Sequence, residues 1–305
     1  MHIINTIVPI FVVICIGVVL RRLEFLPPDL LAPLNRLVYY LAIPAMIFHK
    51  VASASWEAHF QLNLLAGTLI PAAAAFALAV GVGRVLSLRQ GISGTFIQSS
   101  FHGNLGYIGL AVCFYALGDE GLTRASILAG FLMLIQNFLS VGALLLTGKP
   151  EQDRLSGGEV AAKIVLNPVI LSAVAGIACS MSGLALPTLV SRSLNIISGL
   201  ALPLALMVIG ASLSFHLLRR YLGVALGAGV IKLMLLPGLG LGLAAFWGLD
   251  ASLFAPALLL LAAPTATVTV VMAGEMGGAP DMASAAVALN TLLSAASYTL
   301  WLSVI

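Results

Sequence analysis

Few side chains in this 305-residue chain are equipped for chemistry, and those few sit at particular depths. Lys232 lies inside the apolar stretch 221–249, 12 residues beyond Arg220, roughly 18 Å along a helix at 1.5 Å per residue. That is too deep for easy snorkelling. A lysine there is either a functional cation or a cap on the carbonyls of a broken helix. The centre of stretch 90–118 reads His102-Gly103-Asn104-Leu105-Gly106-Tyr107, and the centre of stretch 251–274 reads Ala262-Ala263-Pro264-Thr265-Ala266-Thr267. Gln136 and Asn137 mark the middle of stretch 125–148. An amide pair at that depth serves helix–helix hydrogen bonding or a polar ligand.

Two glycines and an asparagine make a poor helix interior, but asparagine is a good N-cap for a half-helix that restarts. Proline breaks the turn before it and suits the first position of a new helix. Both stretches are therefore expected to break at mid-depth. A restarting half-helix presents unpaired N–H groups and the positive end of its dipole, which favours an anion, while the interrupted carbonyl ends favour a cation. His102 could carry a proton, although a lone histidine beside a break commonly acts as a hydrogen-bonding partner. No Asp or Glu lies at mid-depth.

The chain has no HExxH, no paired intramembrane aspartates and no phosphate-cradling loop, so no catalytic residue is assigned. Cys15, Cys113 and Cys179 lie in apolar runs without CxxC spacing. Neither a disulfide framework, a metal site nor a cofactor is expected. A net charge of +3 is too sparse for nucleic acid.

The elements that must hold these residues are membrane helices. Hydrophobic residues make up 61% and charged residues 8%, with a mean hydropathy of +1.11. A soluble domain carries about 25% charged residues. With about 20 apolar residues per span, the stretches 1–20, 37–49 (30–49 if Arg36 is tolerated near the interface), 58–83, 90–118, 125–148, 164–191, 193–218, 221–249, 251–274 and 282–305 are ten candidate helices. Arg21 and Arg22 come after the first stretch instead of preceding it, so it reads as a retained helix. Ten Lys and Arg residues fall in odd-numbered loops against three in even-numbered ones, which puts the odd loops in the cytoplasm and both termini outside.

Sliding the chain on itself by 159 residues pairs Pro9 with Pro168, Gly17 with Gly176, Pro28 with Pro187 and Pro44 with Pro203. The expected plan is an all-α membrane protein with ten transmembrane helices in two inverted five-helix repeats. Residues 1–147 form the first repeat, 148–163 a cytoplasmic linker and 164–305 the second. Inverted repeats with paired broken helices are typical of secondary transporters.

Gly103-Asn104-Leu105-Gly106-Tyr107-Ile108-Gly109-Leu110 resembles the fourth-helix motif of the auxin efflux carrier family, which includes plant PIN carriers and bacterial malonate/malate permeases. Ala263-Pro264-Thr265 resembles the family's ninth-helix proline motif, and Gly274-Glu275-Met276 and Ala279-Pro280-Asp281 fit the acidic residue after it and the approach to the last helix. Lys232 with Pro237 is similar to the basic residue and proline of its eighth helix. Two features depart from the PIN pattern: the long central loop is missing, and Gly103 stands where PIN carriers have proline. The resemblance implies a fold like bile-acid sodium symporters and NhaA, with discontinuous helices four and nine crossing, an elevator-type cycle, a homodimer and carboxylate substrates. The expected function is alternating-access transport of small organic anions across the cytoplasmic membrane, with His102, Gly103, Asn104, Gln136, Asn137, Lys232, Pro264 and Thr265 as the substrate-binding set. A sodium-coupled symporter on the same fold is the alternative, and a channel or membrane enzyme a minor one.

Overall fold

The computed structural model describes residues 2–54, 59–147, 166–183 and 185–305. The expected linker 148–163 lies outside the described residues. Among them the chain is all helix, with no β-strand.

Helix α1 (His2–Arg22) is followed by α2 (Pro28–Leu37), a π turn (Val38–Ala42) and α3 (Ile43–Ala52), which run on as one span. Next come α4 (Leu62–Val85), α5 (Ile92–Phe101), a π turn (Leu105–Gly109) and α6 (Leu110–Thr147). The second part has α7 (Pro168–Met181), α8 (Thr188–Ser198), α9 (Ala201–Ser212), α10 (Leu218–Val230), a π turn (Ile231–Leu235) and α11 (Leu236–Phe246). It ends with α12 (Ala251–Leu261), α13 (Val268–Glu275) and α14 (Pro280–Leu302).

Seven of these segments are long and apolar enough to cross a membrane, where ten stretches were expected. Three local causes account for the difference. The fourth and fifth stretches follow one another within Leu105–Leu145 as two helices that meet at a kink at Gly118, whose φ of 69° and ψ of −160° are not helical and suit glycine. The sixth is the 14-residue α7, and the ninth is cut into α12 and α13 by the non-helical link 262–267. Arg36 does not interrupt the second span, because it lies on an exposed face of α2.

Three of the four proline and glycine pairs at a spacing of 159 fall at comparable places; Pro9, inside α1, and Pro168, the first residue of α7, do not. Pro28 opens α2 and Pro187 immediately precedes α8; Pro44 and Pro203 lie in the first turns of α3 and α9. Gly17 of α1 packs so closely on α9 that a Cβ would strike the carbonyl oxygen of Met207. Gly176 of α7 packs on α3, where a Cβ would lie 3.3 Å from the carbonyl oxygen of Phe48. Adding 159 to Gly17 and Phe48 gives Gly176 and Met207, so the two close approaches exchange under that shift.

The π turn around Lys232 has an identifiable origin. Pro237 has no N–H to donate to Leu233, four residues earlier. The freed Leu233 carbonyl instead accepts from Ser297 Oγ at 2.9 Å and Trp301 Nε1 at 2.8 Å, both on α14. The widened turn aims Lys232 inward, where it is fully buried.

Candidate functional site

The two breaks meet. Helix α5 ends at Phe101, and α12 ends at Leu261. Residues 102–104 and 264–266 then run antiparallel and join through one isolated backbone bridge between Gly103 and Thr265. Asn104 N donates to the Pro264 carbonyl at 2.7 Å, and Ala266 N donates to the His102 carbonyl at 3.0 Å. Four half-helix ends converge on this bridge.

Asn104 caps the restarting helix: its Oδ1 accepts from the N–H of Tyr107 at 3.3 Å. Its Nδ2 is buried and has no partner among the described residues. Pro264 is not the first residue of a new helix, as its type had suggested. It lies in the link, and α13 starts only at Val268 after Thr267. The Pro264 carbonyl is committed to Asn104, which holds this residue in the bridge rather than in a helix.

Both interrupted carbonyl ends receive a side-chain donor from another helix. Gln136 Nε2 on α6 donates to the Phe101 carbonyl at 3.0 Å, and Lys232 Nζ donates to the Leu261 carbonyl at 2.6 Å. In an unbroken helix these carbonyls would accept from the N–H four residues on. Thr265, fully buried, donates through Oγ1 to the Ser99 carbonyl at 2.8 Å and accepts from Asn290 Nδ2 at 2.7 Å. His102 pairs through Nδ1 with Ser140 Oγ at 2.8 Å. A Cβ added to Gly103 would lie 3.1 Å from both Cε and Nζ of Lys232, so a bare glycine leaves room for the ammonium.

The structure therefore brings His102, Gly103, Asn104, Lys232, Pro264 and Thr265 together, with Gln136 at the edge. Asn137 stands apart: it is half-buried, and its Nδ2 donates to the Met133 carbonyl of its own helix at 2.9 Å. Three contributors were missed by sequence reasoning. Asn290 is an intramembrane amide in α14, of the same kind as Gln136, and the depth rule that found one could have found the other. Ser140 carries no signal, because serines are common in membrane helices, and Ser99 contributes its main-chain carbonyl, which any residue type would supply. A further polar tie joins Tyr107 Oη, as donor, to Asn35 Oδ1 of α2 at 2.6 Å.

A chain whose described residues are all-helical, with seven apolar spans among them and a polar crossing in the interior, is a multi-pass membrane protein of the transport class. The family profile described as "Membrane transport protein" matches residues 2–156 and 143–302. The chain belongs to that family, the auxin efflux carrier family, and its activity is transport, not catalysis. It is 28% identical to a Rhizobium meliloti protein named "Putative malonate transporter", over 96% of this chain and 92% of the relative. It is also 28% identical to a protein of Methanothermobacter thermautotrophicus named "Uncharacterized transporter", over 97% of this chain and 96% of the relative.

Proposed function

We propose that this protein is a secondary transporter of small organic anions, carboxylates and in particular dicarboxylates such as malonate or malate, with the crossing as its site. The observation that carries this reading is an asymmetry between half-helix ends. The carbonyl ends at Phe101 and Leu261 already hold protein donors, Gln136 and Lys232. The restarts after Asn104 and Thr267 bring two positive dipole ends to the same place, although the N–H groups of Leu105, Tyr107, Thr269 and Val270 are already held within their own turns. Asn104 Nδ2 adds a buried amide donor, suited to a carboxylate oxygen. Lys232 Nζ adds a further buried N–H donor beside the two breaks. The malonate in the Rhizobium meliloti relative's name fits a doubly anionic ligand.

The exchange of close approaches between Gly17 and Met207, and between Gly176 and Phe48, supports two inverted five-helix repeats, 1–147 and 164–305, on either side of a linker at 148–163. His102, Asn104 and Thr265 are buried. An anion reaches them only when the helices around the crossing move, which is the requirement for alternating access. By the Lys/Arg bias of the loops, the protein lies in the cytoplasmic membrane with both termini outside, and by its family it works as a homodimer.

Purified protein in liposomes tests the reading. The expected result is saturable uptake of malonate or malate, accelerated by the same anion loaded inside. Non-saturable flux without counterflow would indicate a channel and overturn it. Labelling of a terminal tag from the cytoplasmic side would overturn the orientation.

A further inference from the structure

We propose that Asn35 and Tyr107 are positioning residues for the anion: α2 holds the Tyr107 hydroxyl, the turn of Tyr107 holds the Asn104 amide, and the affinity of the crossing depends on where α2 stands. This rests on the carrier reading above and deepens it by joining its site to a helix outside the crossing.

An amide side chain can turn either its oxygen or its nitrogen toward a ligand, and only the nitrogen donates to a carboxylate. In Asn104 the choice is made by Tyr107. Asn104 Oδ1 accepts from Tyr107 N at 3.3 Å, which leaves Nδ2 buried and without a partner among the described residues. The orientation of the donor is therefore set by the place of the Tyr107 backbone.

That backbone is held from two sides. It belongs to the π turn Leu105–Gly109, in which the Asn104 carbonyl accepts from Ile108 N at 3.2 Å and from Gly109 N at 2.9 Å. Isolated π turns are rare, and this one has outside contacts on each side. Gly109 faces the end of α12, where an added Cβ would lie 3.1 Å from Leu260 Cδ2. Gly106 faces α3, where an added Cβ would lie 3.7 Å from Ile43 Cδ1. On that same side the buried Tyr107 reaches α2, and its hydroxyl donates to Asn35 Oδ1 at 2.6 Å.

The two sides of this clamp are not equally firm. The end of α12 is buried through Leu258–Leu261, whereas α2 buries none of its residues and Asn35 is exposed. A segment with few buried contacts opens more readily than one in the core, so α2 is the side that withdraws. When it does, the Tyr107 hydroxyl loses its acceptor, the turn loosens and the Asn104 amide is free to rotate. The donor for the anion is then lost as the helices part.

Two measurements on Tyr107→Phe, Asn35→Leu and the double variant test this: the concentration dependence of malonate counterflow in liposomes, and hydrogen–deuterium exchange of the anion-free protein, read in peptides covering 102–109. Each single variant is expected to raise the half-saturating malonate concentration about fivefold, the worth of one net hydrogen bond, with a maximal rate within about twofold of wild type. Exchange within 102–109 is expected to quicken about fivefold, while α1 and α9 exchange as in wild type. The double variant is expected to be no worse than either single one, because both changes remove the same bond. An unchanged half-saturation in the single variants would overturn the proposal, including the case in which only the maximal rate falls, the mark of a bond that serves folding alone. So would additive losses in the double variant, or unchanged exchange within 102–109. Should one single variant fail to fold, the other decides. An absence of saturable malonate counterflow in wild type would sink the carrier reading, while the exchange data, which need no anion, still decide whether α2 holds the turn.

Discussion

The backbone N–H of Asn104 donates to the carbonyl of Pro264 at 2.7 Å, so each broken helix is closed by the break in the other. Neither break is a local kink. Pro264→Ala returns an N–H to the chain and lets α12 extend, which draws the residue 264 carbonyl away from Asn104. The expected outcome is a folded protein that melts lower, by the worth of roughly one net hydrogen bond, about 1 kcal/mol, with uptake reduced several-fold. Melting and liposome uptake of the variant check it.

Gln136 and Asn137 are neighbours in sequence with different tasks. Gln136→Leu leaves the buried Phe101 carbonyl unpaired, at a cost of about 1–3 kcal/mol. Asn137→Leu removes a bond within its own helix on a half-buried position, and less than about 0.5 kcal/mol is expected. Denaturation of the two variants side by side should separate them clearly.

Gly103 and Lys232 are coupled by space. Gly103→Val places new carbons where Lys232 Cε and Nζ lie and displaces the ammonium from Leu261. It should lower both stability and uptake. In a Lys232→Ala background the same change should cost less, giving a coupling energy of about 0.5–3 kcal/mol in a double-mutant cycle. Strictly additive losses would show that the two residues do not share the space.

Several of these arrangements are legible in the amino-acid sequence. Asn104 at the centre of its stretch reads as an N-cap, and it is one. Pro264 at matching depth reads as a second break, and the break is there. The depth of Lys232 without an acid raises a helix cap as one of two readings, and the cap is what the structure contains. What periodicity and composition cannot carry is partnership across distant sequence. Nothing in the chain order says that Gln136 serves Phe101, or that Ser297 and Trp301 take up the carbonyl released by Pro237. The restart of the ninth helix also differs from its expected place. Proline chemistry puts it at Pro264, but the bridge to Asn104 holds the backbone out of the helix until Thr267. The fourth and fifth expected spans do part, but at the single non-helical residue Gly118 and not across a longer loop.

Asp250 caps α12 from outside the spans. Its carboxylate accepts from the Ser252 hydroxyl and from the N–H groups of Ser252, at 2.9 Å, and Leu253, at 3.2 Å. The Ser252 hydroxyl first, and the two N–H groups after it, hold this carboxyl below its ordinary range. A depressed folded-state pKa gives stability that is full above the unfolded value, about 3.9, and is lost as pH falls through the folded value. Asp250→Ala should therefore melt below wild type at neutral pH and converge with it in acid. Asp250→Asn, a neutral cap, should show no such convergence.

The most direct test of the crossing as the transport site is counterflow of radiolabelled malonate into liposomes loaded with malonate, for wild type and for Asn104→Leu at matched protein density. Asn104→Leu removes the buried amide donor and the cap beside the bridge while leaving every apolar span intact. Saturable counterflow in wild type and at least a roughly tenfold loss in the folded variant, about 1.4 kcal/mol of transition-state stabilisation, is the predicted result. Counterflow by Asn104→Leu equal to wild type would contradict it.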